Sequence, residues 1–170
     1  MGEAGPLPVS LALSVHKRGW PKKSELAVLS RRAIAAACAE TGFPAKRPRP
    51  ELSVVFSGDD EIRSLNAGWR GKDKPTNVLS FPAMSWPGPH APPPLLGDIV
   101  LALETVTAEA ESEAKTFPDH LAHLLVHGFL HLCGHDHETR EDAEKMEALE
   151  RAILARLAIA DPYALTGDPD

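Results

Sequence analysis

Residues 127–137 read HGFLHLCGHDH, and the expected fold is built outward from this stretch. His127 and His131 stand four residues apart in a segment whose apolar residues recur at helical spacing. Four residues turn an α-helix by about 400° and advance it about 6 Å, so the two rings lie on nearly one face. Gly134 follows where a helix end favours a left-handed residue, a conformation glycine takes freely. His137 comes three residues later and can swing back towards the same ion. Three neutral imidazoles with a fourth position open describe a catalytic zinc site, whereas structural sites are closed by four ligands. His127, His131 and His137 are therefore the predicted metal ligands, for one zinc ion per chain. One histidine on an apolar helix is more often a core residue; the whole pattern, with Gly134 and His137 in register, carries the metal reading.

His120, His123 and His135 lie nearby and are not expected on the ion. His123 is one turn before His127 and is expected to support a ligand rather than bind. Cys133 is offset around the helix from His131 and is expected to pack. The stretch resembles HExxHxxGxxH, the zinc helix and turn of the metzincin proteases, with one loss: Gly128 stands where those enzymes place a general-base glutamate. Glycine cannot take a proton from water, which argues against peptide hydrolysis by that route.

Upstream, Val9–His16 alternates and reads as a strand. Ser24–Thr41 reads as a helix, with Ser24 as its cap and Gly42 past its end. Glu51–Ser57 is a second strand, and a short helix opens at Asp59 or Asp60 and runs through Leu65 and Asn66. Val78–Phe81 and Asp98–Leu103 are two further strands. The proline-dense stretch between them, residues 83–96, is expected to be an exposed loop outside the sheet that tolerates shortening. Glu104–Thr116 reads as an exposed helix, Pro118 or Asp119 to Leu132 as the histidine helix, and Glu138 or Thr139 to about Ala160 as the last. Residues 161–170 are expected to be a loose tail. The order β-α-β-α-β-β-α-α-α implies an α+β chain with one mixed sheet covered by helices.

The 170 residues suit a single domain, 1–170. Two cysteines, Cys38 and Cys133, form no CxxC pair, and a reducing cytoplasm is the expected location. No apolar run is long enough to span a bilayer, and residues 1–10 do not read as a secretory signal. The net charge of −6 conceals an asymmetry: residues 1–75 carry 13 Lys and Arg against 8 Asp and Glu, and the remainder 5 against 16. A basic half can meet a polyanion although the whole chain is acidic; solvated helix faces would give the same count.

That basic half ends in LNAGWRGKDKPTNVLSFP, residues 65–82, where Arg70, Lys72 and Lys74 give three cations in five residues. Arginine forks onto phosphate oxygens at any working pH, so this loop reads either as a phosphate clamp or as a solvated turn. The two stretches together resemble the YbeY family of bacterial endoribonucleases. The matching residues are Leu65, Asn66, Arg70–Pro82, Gly97–Ile99 and His127–His137. Asn77 departs from the pattern, which more often has Asp before VLSFP.

The resemblance implies a mixed four-stranded sheet packed with helices and zinc at one end of a cleft. It implies an endoribonuclease acting on the 3′ end of small-subunit ribosomal RNA and in ribosome quality control. By the same resemblance His127, His131 and His137 are ligands and Arg70 is the critical arginine. The implied partners are ribosomal RNA and particles, a ribosomal protein and an assembly GTPase. Two other readings remain: a non-catalytic assembly factor whose zinc only orders the cleft, and a metallopeptidase, which Gly128 disfavours.

Overall fold

Residues of alternating burial form the sheet. In the computed structural model, which describes residues 6–84, 86 and 91–164, strands β1 (Ser10–Val15) and β2 (Glu51–Ser57) pair in parallel. Strand β4 (Leu95–Ala102) joins β2 in parallel, and β3 (Val78–Pro82) lies antiparallel against β4. The order is β1-β2-β4-β3, a mixed four-stranded sheet. Helices α1 (Lys23–Thr41), α2 (Asp59–Arg70), α3 (Leu103–Ser112), α4 (Phe117–Leu132) and α5 (Arg140–Arg156) complete the α+β fold.

The sheet buries two unequal faces. Leu52, Val54 and Phe56 of β2 point to one side, as period-2 alternation requires, and meet Ile34 of α1, Leu125 and Phe129 of α4 and Ile153 of α5. On the other side α2 alone contributes, with Ile62 on Leu79, Val100 and Ala102. Helix α4 packs on α1, α3, α5 and β3, which makes it the central helix of the thick layer.

Several boundaries differ from the sequence expectation. Ser24 does not cap α1; Lys22 holds the N-cap position with no side-chain bond, while Gly42 takes the left-handed turn (φ 69°). Helix α2 runs four residues past Asn66 and stops where Gly71 turns left-handed (φ 70°), so Arg70 is its last residue. Helix α3 ends early, because Thr116 is already the cap of α4, accepting a bond from Asp119 N at 3.2 Å.

The largest correction concerns residues 83–96. Pro92 and Pro93 are buried, Trp86 packs edge-on to Phe43 at 6.0 Å, and β4 begins at Leu95 rather than Asp98. Proline brings no N–H that burial would orphan, so only its carbonyl needs a partner. Lys46 Nζ donates to Pro92 O at 3.3 Å and Glu51 N to Pro94 O at 2.8 Å. Leu96 is the extra residue of a bulge opposite the Glu51–Leu52 step. Beside it, a side chain at Gly97 would begin 2.2 Å from Phe81 O, and its φ is +135°, so the close strand approach requires glycine. Positions 85 and 87–90 of this stretch lie outside the described residues.

The expected loose tail is also corrected in part. Asp161 pairs with Arg151 at 3.2 Å, and Arg151 lies over the Tyr163 ring at 5.4 Å. Residues 165–170 lie outside the described residues.

Candidate metal centre

The end of α4 is built by its own backbone. His135 N donates to Leu130 O and Gly134 N to His131 O, both at 3.0 Å, and Gly134 is left-handed (φ 98°). This double closure turns the chain back over the helix end. It brings His137 to 5.7 Å from His127 and 5.1 Å from His131, measured between ring centroids. The His127 and His131 rings are 4.6 Å apart with their Nε2 atoms at 3.1 Å. One nitrogen from each of the three lies within 4.8 Å of the others, close enough to share one ion.

Two features prepare these nitrogens. Burial, followed by the neighbouring His127 and His137, pulls the His131 pKa down to about 4, so its ring is neutral and its lone pair free at neutral pH. His127 donates from Nδ1 to Glu150 Oε2 at 2.6 Å, which leaves Nε2 as the lone-pair atom facing His131. Glu150 is 1% exposed. Burial alone would raise its carboxyl, but bonds from His123 (2.9 Å), His127 and the Tyr163 hydroxyl outweigh this and bring it down to about 2.

Sequence reasoning missed Glu150. A signal existed: Met146, Glu150, Ile153 and Leu154 form the buried stripe of α5, and a carboxylate in such a stripe must be answered by donors. His123 donates to Glu150 and packs edge-on to His127, with ring centroids 6.5 Å apart, and is not among the three clustered nitrogens.

The three histidines line a cleft of about 590 Å³ together with Trp69, Arg70 and Asn77. Arg70 is exposed there, and among the described residues neither it nor Lys72 or Lys74 enters an ion pair; Arg63 instead pairs with Asp73 at 2.8 Å. Asp136 and Glu138 add carboxylates to the histidine side.

Asn77 explains itself. Its amide donates to Glu109 at 2.9 and 3.2 Å, and its Oδ1 accepts from Val78 N at 2.6 Å. An aspartate at 77 would set two carboxylates against each other. Glu109 also takes His120 Nε2 at 2.8 Å, and Glu113 pairs with Lys115 at 2.9 Å. The cluster Glu109, Glu113 and His120 has ligand-like spacing, but its charges are already answered within the protein.

Gly128 faces the sheet. A side chain there would begin 3.0 Å from Ile99 Cγ2 and 3.1 Å from Ser80 Oγ, and Ser80 Oγ donates to Gly128 O at 3.0 Å. A glutamate at this position would press into β3 and β4.

The family model described as Endoribonuclease YbeY matches residues 15–158. A protein of Chelativorans sp. named Endoribonuclease YbeY is 53% identical over 163 residues, covering 96% of this chain and 98% of its own. One of the same name from Rhizobium etli is 49% identical over 159 residues, covering 91% and 93%. The solution structure of a Thermotoga maritima protein superposes with a TM-score of 0.54 at 27% identity, covering 87% of this chain and 91% of that one. A match that runs from the end of β1 to beyond α5 takes in the sheet, the basic loop and the histidine turn alike, and the chain belongs to the YbeY family of endoribonucleases.

Proposed function

We propose that the chain is a zinc-dependent, single-strand-specific endoribonuclease that matures the 3′ end of small-subunit ribosomal RNA and serves ribosome quality control. The observation that carries this reading is the convergence of His127, His131 and His137 within 4.8 Å, in one cleft with Arg70. Three imidazoles and no carboxylate suit zinc better than magnesium or calcium, which take oxygen ligands. We read the motif as a metzincin-like zinc helix put to phosphodiester chemistry, in a cytoplasmic protein of one domain, 1–170. Ribosomal particles, a ribosomal protein and an assembly GTPase are its proposed partners, on the family resemblance. No helix among the described residues is long and apolar enough to cross a membrane.

Zinc supplies a Lewis acid and brings the pKa of water towards about 7. The chain's own groups do the rest. Arg70, free of any carboxylate partner among the described residues, binds the scissile phosphate and offsets charge that builds on its oxygens. Lys72 and Lys74 attract the strand, and Glu150 keeps His127 in the ligating tautomer.

Single-turnover cleavage of one RNA at matched zinc occupancy tests this. Arg70→Ala is expected to cleave about 10²–10³-fold more slowly, with zinc content unchanged. Arg70→Lys recovers part of the loss, since an ammonium lacks the planar fork. His131→Ala abolishes zinc binding and cleavage together. Wild-type rates in Arg70→Ala would leave the arginine structural, and full zinc occupancy in His131→Ala would overturn the ligand set. A 2′,3′-cyclic phosphate on the product would assign the attack to the ribose 2′-OH; its absence would assign it to water.

A further inference from the structure

Trp69 is 74% exposed, more than any other large apolar side chain described. It is not adrift. It is the penultimate residue of α2, and its ring rests 5.9 Å from that of Phe81 at 57°. One side of it lines the histidine cleft beside Arg70. Its other side lines a second groove of about 580 Å³ on the thinly covered face of the sheet, with Val55, Leu65, Phe81 and Val100. Trp69 is therefore the ridge between the two.

The two sides differ in charge. On the cleft side Arg70 stands beside Trp69, with Lys72 and Lys74 next in the chain and none of the three in an ion pair among the described residues, while Asp136 and Glu138 line the cleft with the histidines. The outer groove is mostly apolar, with Glu61, bonded to His16 at 2.9 Å, and Asp98 at its edge and no Lys or Arg in its lining. An occupant that spans the ridge must be anionic on one side and flat, neutral and apolar on the other. A nucleotide has that distribution. A base has a π-face whatever its identity, so an indole holds it without reading sequence.

Resting on the RNA reading above, we propose that Trp69, backed by Phe81, is a stacking platform for one base of the RNA strand, next to the phosphate held by Arg70. The sugar–phosphate backbone runs along the cleft side and the base leans over the indole towards the outer groove. A base offers its face to a protein only when it is unpaired and unstacked, so the platform selects single-stranded RNA.

Binding of a short labelled single-stranded RNA by zinc-loaded protein, measured on ice over times short against cleavage, tests the platform. A series of the same RNA with one abasic residue moved along it completes the design. Trp69→Ala is expected to bind about 5- to 100-fold more weakly, the range for one stacked base. Trp69→Phe keeps most of the affinity and Trp69→Leu behaves like alanine. At one position the abasic residue costs the wild type a similar factor and costs Trp69→Ala nothing. Because the side chain is exposed, thermal midpoints stay at the wild-type value. Wild-type affinity in Trp69→Ala, equal affinities for the leucine and phenylalanine variants, or an abasic cost that survives in Trp69→Ala would each overturn the platform while leaving the RNA reading intact. Absence of RNA binding by the wild type would overturn both.

Discussion

Glu150 decides which nitrogen of His127 is available, because a ring that donates from Nδ1 keeps its lone pair on Nε2. Glu150→Gln retains the shape and loses the charge. Metal affinity is expected to fall about 10–100-fold, read by competition with a chromophoric chelator; an unchanged affinity would make Glu150 a packing residue only. Asn77 carries a second prediction. Asn77→Asp exchanges a donor for a like charge beside Glu109, and the loss of a bond to a charged acceptor costs about 1.5–3 kcal/mol. The variant's thermal midpoint should fall below wild type at neutral pH, and an unchanged midpoint would show that the Asn77–Glu109 bond contributes nothing. The histidine cluster was legible in the sequence because one helix and one turn carry all of it, and spacing alone fixes such geometry. Glu150 was not, because it comes from α5, and only the helical stripe Met146, Ile153 and Leu154 marks its inward direction. Arg70 was legible as a cation in a basic loop, but not as the last residue of α2, because that depends on where Gly71 turns the chain.

Ends set by local chemistry were read in part: Gly42 does end α1, but Ser24 does not cap it, and Thr116 caps α4 rather than closing the helix before it. β2 spans the expected residues, and α4 and α5 begin at threonine caps, Thr116 and Thr139, each accepting a bond from the N–H three residues on. Removing the α5 cap with Thr139→Ala is expected to cost about 1 kcal/mol in urea unfolding, a loss that Thr139→Ser largely restores. Elements set by tertiary contact were misread. Residues 92–94 look like a surface loop by composition, yet Pro92 and Pro93 are buried, Lys46 donates to Pro92 O, and β4 starts three residues early. The approach of α4 to β3 and β4 is likewise invisible until the strands are in place. It makes Gly128→Glu a test at this scale: the variant should unfold at lower urea than wild type, by about 1–3 kcal/mol for overpacking. It should also gain no activity on casein, because the side chain begins against Ile99 and Ser80.

Across the whole molecule, several carboxyls and two histidines are depressed, and His131 and Glu150 show the large shifts among them. His131 moves from 6.5 to about 4 and Glu150 from 4.5 to about 2. In each case the folded state binds its proton less readily than the unfolded chain, so stability is full above the unfolded value and drains away as pH falls towards the folded one. Chelator-treated protein should therefore hold a constant urea midpoint above about pH 6.5. It should lose stability between 6.5 and about 4 through His131, and between 4.5 and about 2 through Glu150. His131→Asn should shrink the first loss, to which His135 also contributes, and leave the second. The sheet order has a consequence of another kind, in time. β4 slots between β2 and β3, and all four strands have been synthesised once Ala102 is joined to the chain. The three histidines come later in the chain, and Glu150 later still. At usual synthesis speeds the stretch from Ala102 to Glu150 takes roughly 2–10 s. All four strands, and with them Trp69 and Arg70, are thus synthesised before a single one of those three imidazoles. On the proposed function, a chain interrupted before His137 lacks a complete set of metal-binding imidazoles with which to cut RNA.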